Sequence, residues 1–176
     1  MRVVFLHGPA ASGKHTIGTL VARQLGIPLF HNHLAVDVAL SLFAFGTAGF
    51  QRIRAGLWQL CFDEAAAAGQ SFVFTFHPEA SVDPGLVQHL VARVEAHGGT
   101  VAFVELACSV DATLARLGEP SRKAFKKLAD PALYLSIEQS GGFSFPPLPT
   151  PVVRVDTELH GPQQAADIIV AALGTG

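Results

Sequence analysis

Charge is scarce in this chain. Twelve Lys and Arg stand against 14 Asp and Glu in 176 residues, a formal net charge of −2. A protein that tracks nucleic acid or an anionic membrane surface carries a strong basic excess, so neither partner is expected. Cysteine is nearly absent as well. The two present, Cys61 and Cys108, lack metal-ligand spacing, so zinc is not expected, and both read as small core residues in a reducing compartment. No apolar run reaches the eighteen residues of a spanning helix. The chain passes from Met1-Arg2 directly into an apolar segment, with no stretch built like a signal peptide, and a cytoplasmic location is expected. What remains is apolar: 49% of residues are hydrophobic. A chain of this length folds as one domain, residues 1–176, that buries about 70% of its unfolded surface.

Val3-Val4-Phe5-Leu6 reads as a short strand, and His7-Gly8-Pro9-Ala10-Ala11-Ser12-Gly13-Lys14-His15-Thr16 follows without a break. Gly8, four residues, Gly13 and Lys14 have the spacing of the P-loop, or Walker A motif. Its glycines let the backbone of Gly8, Ala10, Ala11, Ser12, Gly13, Lys14, His15 and Thr16 curl around a phosphate, the following helix aims its positive end there, and Lys14 supplies a mobile cation. The residue after Lys14, ordinarily a Ser or Thr that binds Mg²⁺, is His15. The hydroxyl comes one place later, at Thr16, which is the candidate metal ligand.

Elsewhere strands and helices alternate. Ile17, Leu20, Val21 and Leu25 space a helix that Gly26 stops, and Pro28 to His31 reads as a second strand before a helical segment through Phe43. From Thr47 to Gly69 the pattern is helical, with Phe50, Ile53, Leu57, Leu60 and Cys61 on the expected buried side and Gln51, Arg52 and Arg54 elsewhere. Ser71–Phe76 and Thr100–Ala107 are the third and fourth strands, separated by a helix from Asp83. A short helix from Asp111 to Leu117, a basic loop over 119–127, a helix opened by Asp130-Pro131, a Gly/Pro-rich loop from Gly141 to Pro151, a last strand over 152–156 and a final helix from Gly161-Pro162 complete the chain. This alternation predicts a parallel sheet covered on both faces. Glu105, within an otherwise apolar strand, has no role in that pattern.

With these segments placed, the chain resembles the shikimate-kinase and nucleoside-monophosphate-kinase group of P-loop phosphotransferases over nearly its whole length. The resemblance implies an α/β P-loop fold with five parallel strands in the order 2-3-1-4-5, ATP with Mg²⁺ at the P-loop, and a lid at about 119–130. Arg122 stands where that group's lid arginine closes over the phosphates, and Arg116 matches the position that stacks on adenine. Arg154-Val155-Asp156-Thr157 looks like the segment whose following loop borders the base, so Asp156 joins the nucleotide residues. The Phe30-His31-Asn32-His33-Leu34 stretch resembles that of a P-loop group described as ATPase- or kinase-like.

The acceptor side differs. His31 and His33 hold the places of the Asp-x-Asp pair of shikimate kinases, and Thr75-Phe76-His77-Pro78-Glu79 replaces their Gly-rich turn. The expected reaction moves the γ-phosphate of ATP to a small metabolite other than shikimate, with anions among the candidates. The alternative is a nucleotide-binding or hydrolysing module without an acceptor. Four-residue spacing puts His33 and Asp37 on one helical face, where His33 would contact the acceptor and Asp37 orient it. The other reading makes Asn32 the helix N-cap and Asp37 a complement to the helix's positive end. His31, His33, Arg52, Arg54 and His77 are the candidate acceptor residues, and Lys14, Arg122, His33 and Asp37 the candidate catalytic ones. The state expected is a monomer or homodimer.

Overall fold

The computed structural model describes residues 1–118 and 130–174. Five parallel strands, β1 (Arg2–His7), β2 (Leu29–His31), β3 (Phe72–Phe76), β4 (Thr100–Ala107) and β5 (Val153–Asp156), form one sheet in the order β2-β3-β1-β4-β5. The expected order is the one found. Seven helices are described: α1 (Lys14–Leu25), α2 (His33–Leu40), α3 (Ala48–Ala67), α4 (Pro84–Ala96), α5 (Val110–Leu117), α6 (Pro131–Gln139) and α7 (Pro162–Leu173). None is long and apolar enough to cross a membrane.

Alternation along the strands sorts the core into two layers. Val3, Phe5, Phe72, Phe74, Phe76 and Phe103 face Trp58 and Phe62 of α3 and Leu86, Val87 and Leu90 of α4. Phe5 sits among three rings, with centroids 5.2 Å from Phe74, 5.4 Å from Phe76 and 4.7 Å from Phe103. The opposite face, with Val4, Leu6, Val73, Val104, Leu106 and Val155, packs on Ile17 and Val21 of α1 and Ala165, Ala166 and Ile169 of α7. With both faces buried, the central strands read as continuous apolar runs, which is why the sequence reveals them. The Gly/Pro-rich segment crosses the aromatic face to reach β5: Ala80 N–H donates to the Gly142 carbonyl, Phe145 lies 5.5 Å from Phe76, and Val152 N–H donates to the Phe103 carbonyl.

The buried side of α3 differs from the expected one. Phe50, Arg54, Trp58, Phe62 and Ala66 form it, while Leu60 is exposed. The large rings of Phe50, Trp58 and Phe62 set a stripe of four-residue steps, in which Arg54 takes the place between the first two. Its guanidinium lies 5.1 Å from the Phe50 ring centroid and 5.2 Å from that of Trp58, pairs with Glu79, and donates to the Ser81 carbonyl at 3.0 Å. Ser81 Oγ donates in turn to Glu79 Oε1 at 2.7 Å. Arg54, expected among the acceptor residues, is thus buried, and its guanidinium anchors the turn after β3.

Removing one member of a buried pair strands the other's charge. Glu79→Ala is expected to lower stability by about 3–5 kcal/mol in urea unfolding, with a smaller loss for Arg54→Met combined with Glu79→Leu.

Candidate active site

The site is built from the turn that leaves β1. Gly8 is buried at φ +152°, and a Cβ there would lie 2.3 Å from the Leu106 carbonyl oxygen of β4. Only glycine fits. Gly13 turns the chain into α1 at φ +84°, and between them Ala11 holds φ +57°, a left-handed conformation that costs a non-glycine residue about 1–2 kcal/mol. Strain of this kind persists where surrounding structure imposes it, and it gathers at ligand loops. Ser12 is fully buried. Lys14 folds back over the loop, donating to the Gly8 carbonyl at 2.8 Å, to the Pro9 carbonyl and to Ser12 Oγ at 3.4 Å. Thr16 is exposed on the first turn of α1.

His77, one residue past β3, places Nδ1 3.2 Å from the same Gly8 carbonyl. Because a carbonyl only accepts, this bond requires the proton on Nδ1. The His77 ring also lies 5.1 Å from Phe143. At the end of β2, His31 meets His15 edge-to-face at 4.8 Å and stands 6.4 Å from His33. The structure thus gathers His15, His31 and His33 beside the P-loop. Asn32 is at the N-cap of α2 but makes no side-chain cap bond. Its backbone N–H instead donates to Thr75 Oγ1 at 3.0 Å, which ties α2 to β3. Asp37 shares α2 with His33 and is exposed, as is Arg52 on α3. Arg122 lies outside the described residues, as does nearly all of the expected lid.

On the other side of the loop, Arg116 of α5 spans to the end of β5. It donates to Thr157 Oγ1 at 3.0 Å and to the Thr157 carbonyl at 2.8 Å, with Cys108 Sγ 3.4 Å away. Thr113 Oγ1 reaches the Ala10 carbonyl at 3.3 Å, so α5 is fastened to the P-loop as well. Asp156 accepts from the Glu158 N–H at 2.8 Å and shapes the following loop. Cys61 and Cys108 are only half-buried, and Cys108 belongs to this cluster rather than to the core.

Cys108 and Thr113, which belong to this cluster, carry no signal as site residues in the sequence, and Thr157 appears there only as the end of the segment from Arg154. His7 was open to detection, because it continues the alternation Val3, Phe5 onto the aromatic face at the last β1 position. It is 8% exposed, and burial, with the charge of Lys14 adding to it, lowers its pKa to about 4. Among the described residues its Nε2 has no hydrogen-bond partner.

No group of three or more His, Cys, Asp or Glu side chains among the described residues converges as a metal site. The chemistry still fits Mg²⁺, which keeps several waters and is held largely through substrate phosphates. The loop fits the phosphates of ATP at the start of α1, where Gly13 is the N-cap and no side chain caps the N–H groups.

No family model matches the chain, and no curated protein matches it. Solved structures do. A shikimate kinase from Aquifex aeolicus aligns at 19% identity over 98% of this chain and 96% of its own, with a TM-score of 0.60. A sugar kinase from Janibacter sp. aligns at 18% identity over 98% and 94%, TM-score 0.66. The Mycobacterium tuberculosis APS kinase, in complex with AMPPNP and APS, aligns at 14% identity over 99% and 98%, TM-score 0.68. The chain has the fold of the P-loop kinases.

His7 gives a pH signature. Its folded pKa lies below the unfolded value of 6.5, so between pH 6.5 and 4 the unfolded chain binds more protons and stability falls as pH falls. Its full contribution is about 3 kcal/mol, lost progressively across that window and constant below it. His7→Phe is expected to flatten the change in unfolding midpoint between pH 7 and pH 4.5, and an unchanged slope would assign the dependence elsewhere.

Proposed function

We propose that the chain is an ATP-dependent phosphotransferase that moves the γ-phosphate to a small metabolite other than shikimate. The observation that carries this reading is the glycine-determined cradle at residues 8–16, with Lys14 resting on carbonyls that a phosphate can outcompete. The loop stands between the Arg116–Thr157 clamp on one side and the His15, His31 and His33 group on the other. Such an arrangement supports a nucleotide on the first side and an acceptor on the second.

In this reading the N–H groups of the loop and the Lys14 ammonium neutralise phosphate charge, which supplies most of the rate in a reaction that asks little covalent chemistry of the protein. Mg²⁺ would be held by the Thr16 hydroxyl together with substrate phosphate, and would supply charge neutralisation. Arg116 and Asp156 flank the base, and Arg122 supplies charge from the lid. His33, oriented by Asp37, contacts the acceptor hydroxyl, and His31, His77 and Arg52 border it. With Arg54 committed to Glu79, Arg52 is the acceptor-side arginine in the reading, and an anionic acceptor draws its support from Arg52 and the histidines.

A second reading, a nucleotide-binding module without an acceptor, is favoured by one observation. β3 runs into Phe76-His77-Pro78, with no carboxylate at its end.

Two measurements test the proposal. Mg-ATP at a hundred times its dissociation constant is expected to add about 2.7 kcal/mol of stability, and Lys14→Ala to abolish most of that gain. An equal gain in the variant would remove the P-loop from the account. Phosphorus NMR of Mg-ATP with a pool of small metabolites is expected to show a new phosphate ester that depends on both the pool and Lys14. Inorganic phosphate alone, at a rate indifferent to the pool, would favour the second reading. His33→Ala is expected to slow ester formation with nucleotide affinity unchanged.

A further inference from the structure

Beneath the P-loop, on the aromatic face of the sheet, the Gly141–Pro151 segment leaves a cavity of about 260 Å³. Its walls include Phe143, Phe145, Pro78 and Pro146, with His7 and Glu105 as the polar members. His7 and Glu105 are direct neighbours across the β1–β4 ladder, so both project from the same face at the same level. Glu105 is the residue for which the strand pattern has no use, and here it is the one acidic side chain among the residues that line the cavity.

We propose that this cavity is a binding site for a small ring-bearing organic cation, an amine on an aromatic or alicyclic body, with Glu105 as its counter-charge. Size, walls and charge agree on that class. Closed cavities of about 150 Å³ take up benzene, so this larger pocket, which is open to solvent on one side and has polar as well as apolar walls, has room for a ring with a short polar arm. Phenylalanine faces attract cations, and proline rings offer apolar area without donors. Glu105 is one-third exposed, and among the described residues it pairs with Arg154 of β5 through an Nε contact of 3.3 Å from a side chain that is two-thirds exposed. Exposed pairs of this kind contribute little, which leaves the carboxylate available to a cation delivered into the cavity. Among the described residues, Lys14 also bears on these walls: it acts on His7 and is itself held by the P-loop carbonyls. His7 is neutral at physiological pH, so it adds no repulsion, and a ligand reaching it would meet a nitrogen that has no partner among the described residues.

The inference goes beyond the proposed phosphotransfer and does not depend on it, because binding rather than turnover is its readout. Benzylamine, titrated into the protein and followed by NMR of the phenylalanine ring protons, is expected to bind saturably. Isosteric but neutral benzyl alcohol is expected to bind about tenfold more weakly. Glu105→Gln, which keeps the shape, should weaken benzylamine by a similar factor while leaving the unfolding midpoint and the benzyl alcohol affinity in place. Phe143→Leu should weaken it as well. Saturating Mg-ATP should leave benzylamine bound, since the cavity lies on the sheet face and not in the loop. The proposal is overturned by equal binding of the alcohol, by full affinity in Glu105→Gln, by displacement with Mg-ATP, or by no saturable shift.

Discussion

The backbone turn at Gly8 is the constraint on which the rest of the structure depends. With β1 fixed between β3 and β4, the chain leaves the sheet so close to Leu106 that no side chain fits. The turn then presents its carbonyl to two donors, Lys14 from α1 and His77 from beyond β3. One oxygen thereby joins the motif, the helix that carries it and the neighbouring strand end. A residue with a Cβ at position 8 would displace β4 or the loop, and all three would lose their common reference.

Around that turn, the two faces of the sheet divide the work. α1 and α7 close the aliphatic face behind the loop, while α5 and the end of β5 are tied to it through Thr113, Arg116 and Thr157. The aromatic face carries α3 and α4 and leads to the histidine side. There the Arg54–Glu79 pair, stacked between Phe50 and Trp58, holds the turn that delivers His77. A charge buried this far from water is stabilising only with its partner present. Its value lies in fixing the turn next to the P-loop.

The strands and the P-loop were legible because each rests on local signals: apolar runs for doubly covered strands, glycine spacing for the turn, and Asp130-Pro131 or Gly161-Pro162 for helix starts; the order of the strands came from the resemblance to the P-loop kinases, since no local signal encodes it. The buried stripe of α3 was not. Its aliphatic residues fall at plausible helical spacing, yet the rings of Phe50, Trp58 and Phe62, eight and four residues apart on one face, outweigh them and take Arg54, midway between the first two, inside. The bonds that define the candidate site were also out of reach. His77 meets Gly8 across 69 positions and Arg116 meets Thr157 across 41, and no periodicity encodes such pairs. Asn32 shows a milder failure. It stands at the N-cap as its type suggests, but β3 supplies a better partner for its backbone, through Thr75. Glu105 was visible as an exception in an apolar strand and acquired a meaning only once the cavity beside it was seen.

The most direct test of the central claim is a crystal structure with Mg²⁺ and a non-hydrolysable ATP analogue. The account predicts a triphosphate inside residues 8–16, the base beside Arg116 and Thr157, and Lys14 moved from the Gly8 and Pro9 carbonyls onto phosphate oxygens. An analogue bound elsewhere, or a loop in which Lys14 keeps both carbonyls, would contradict it.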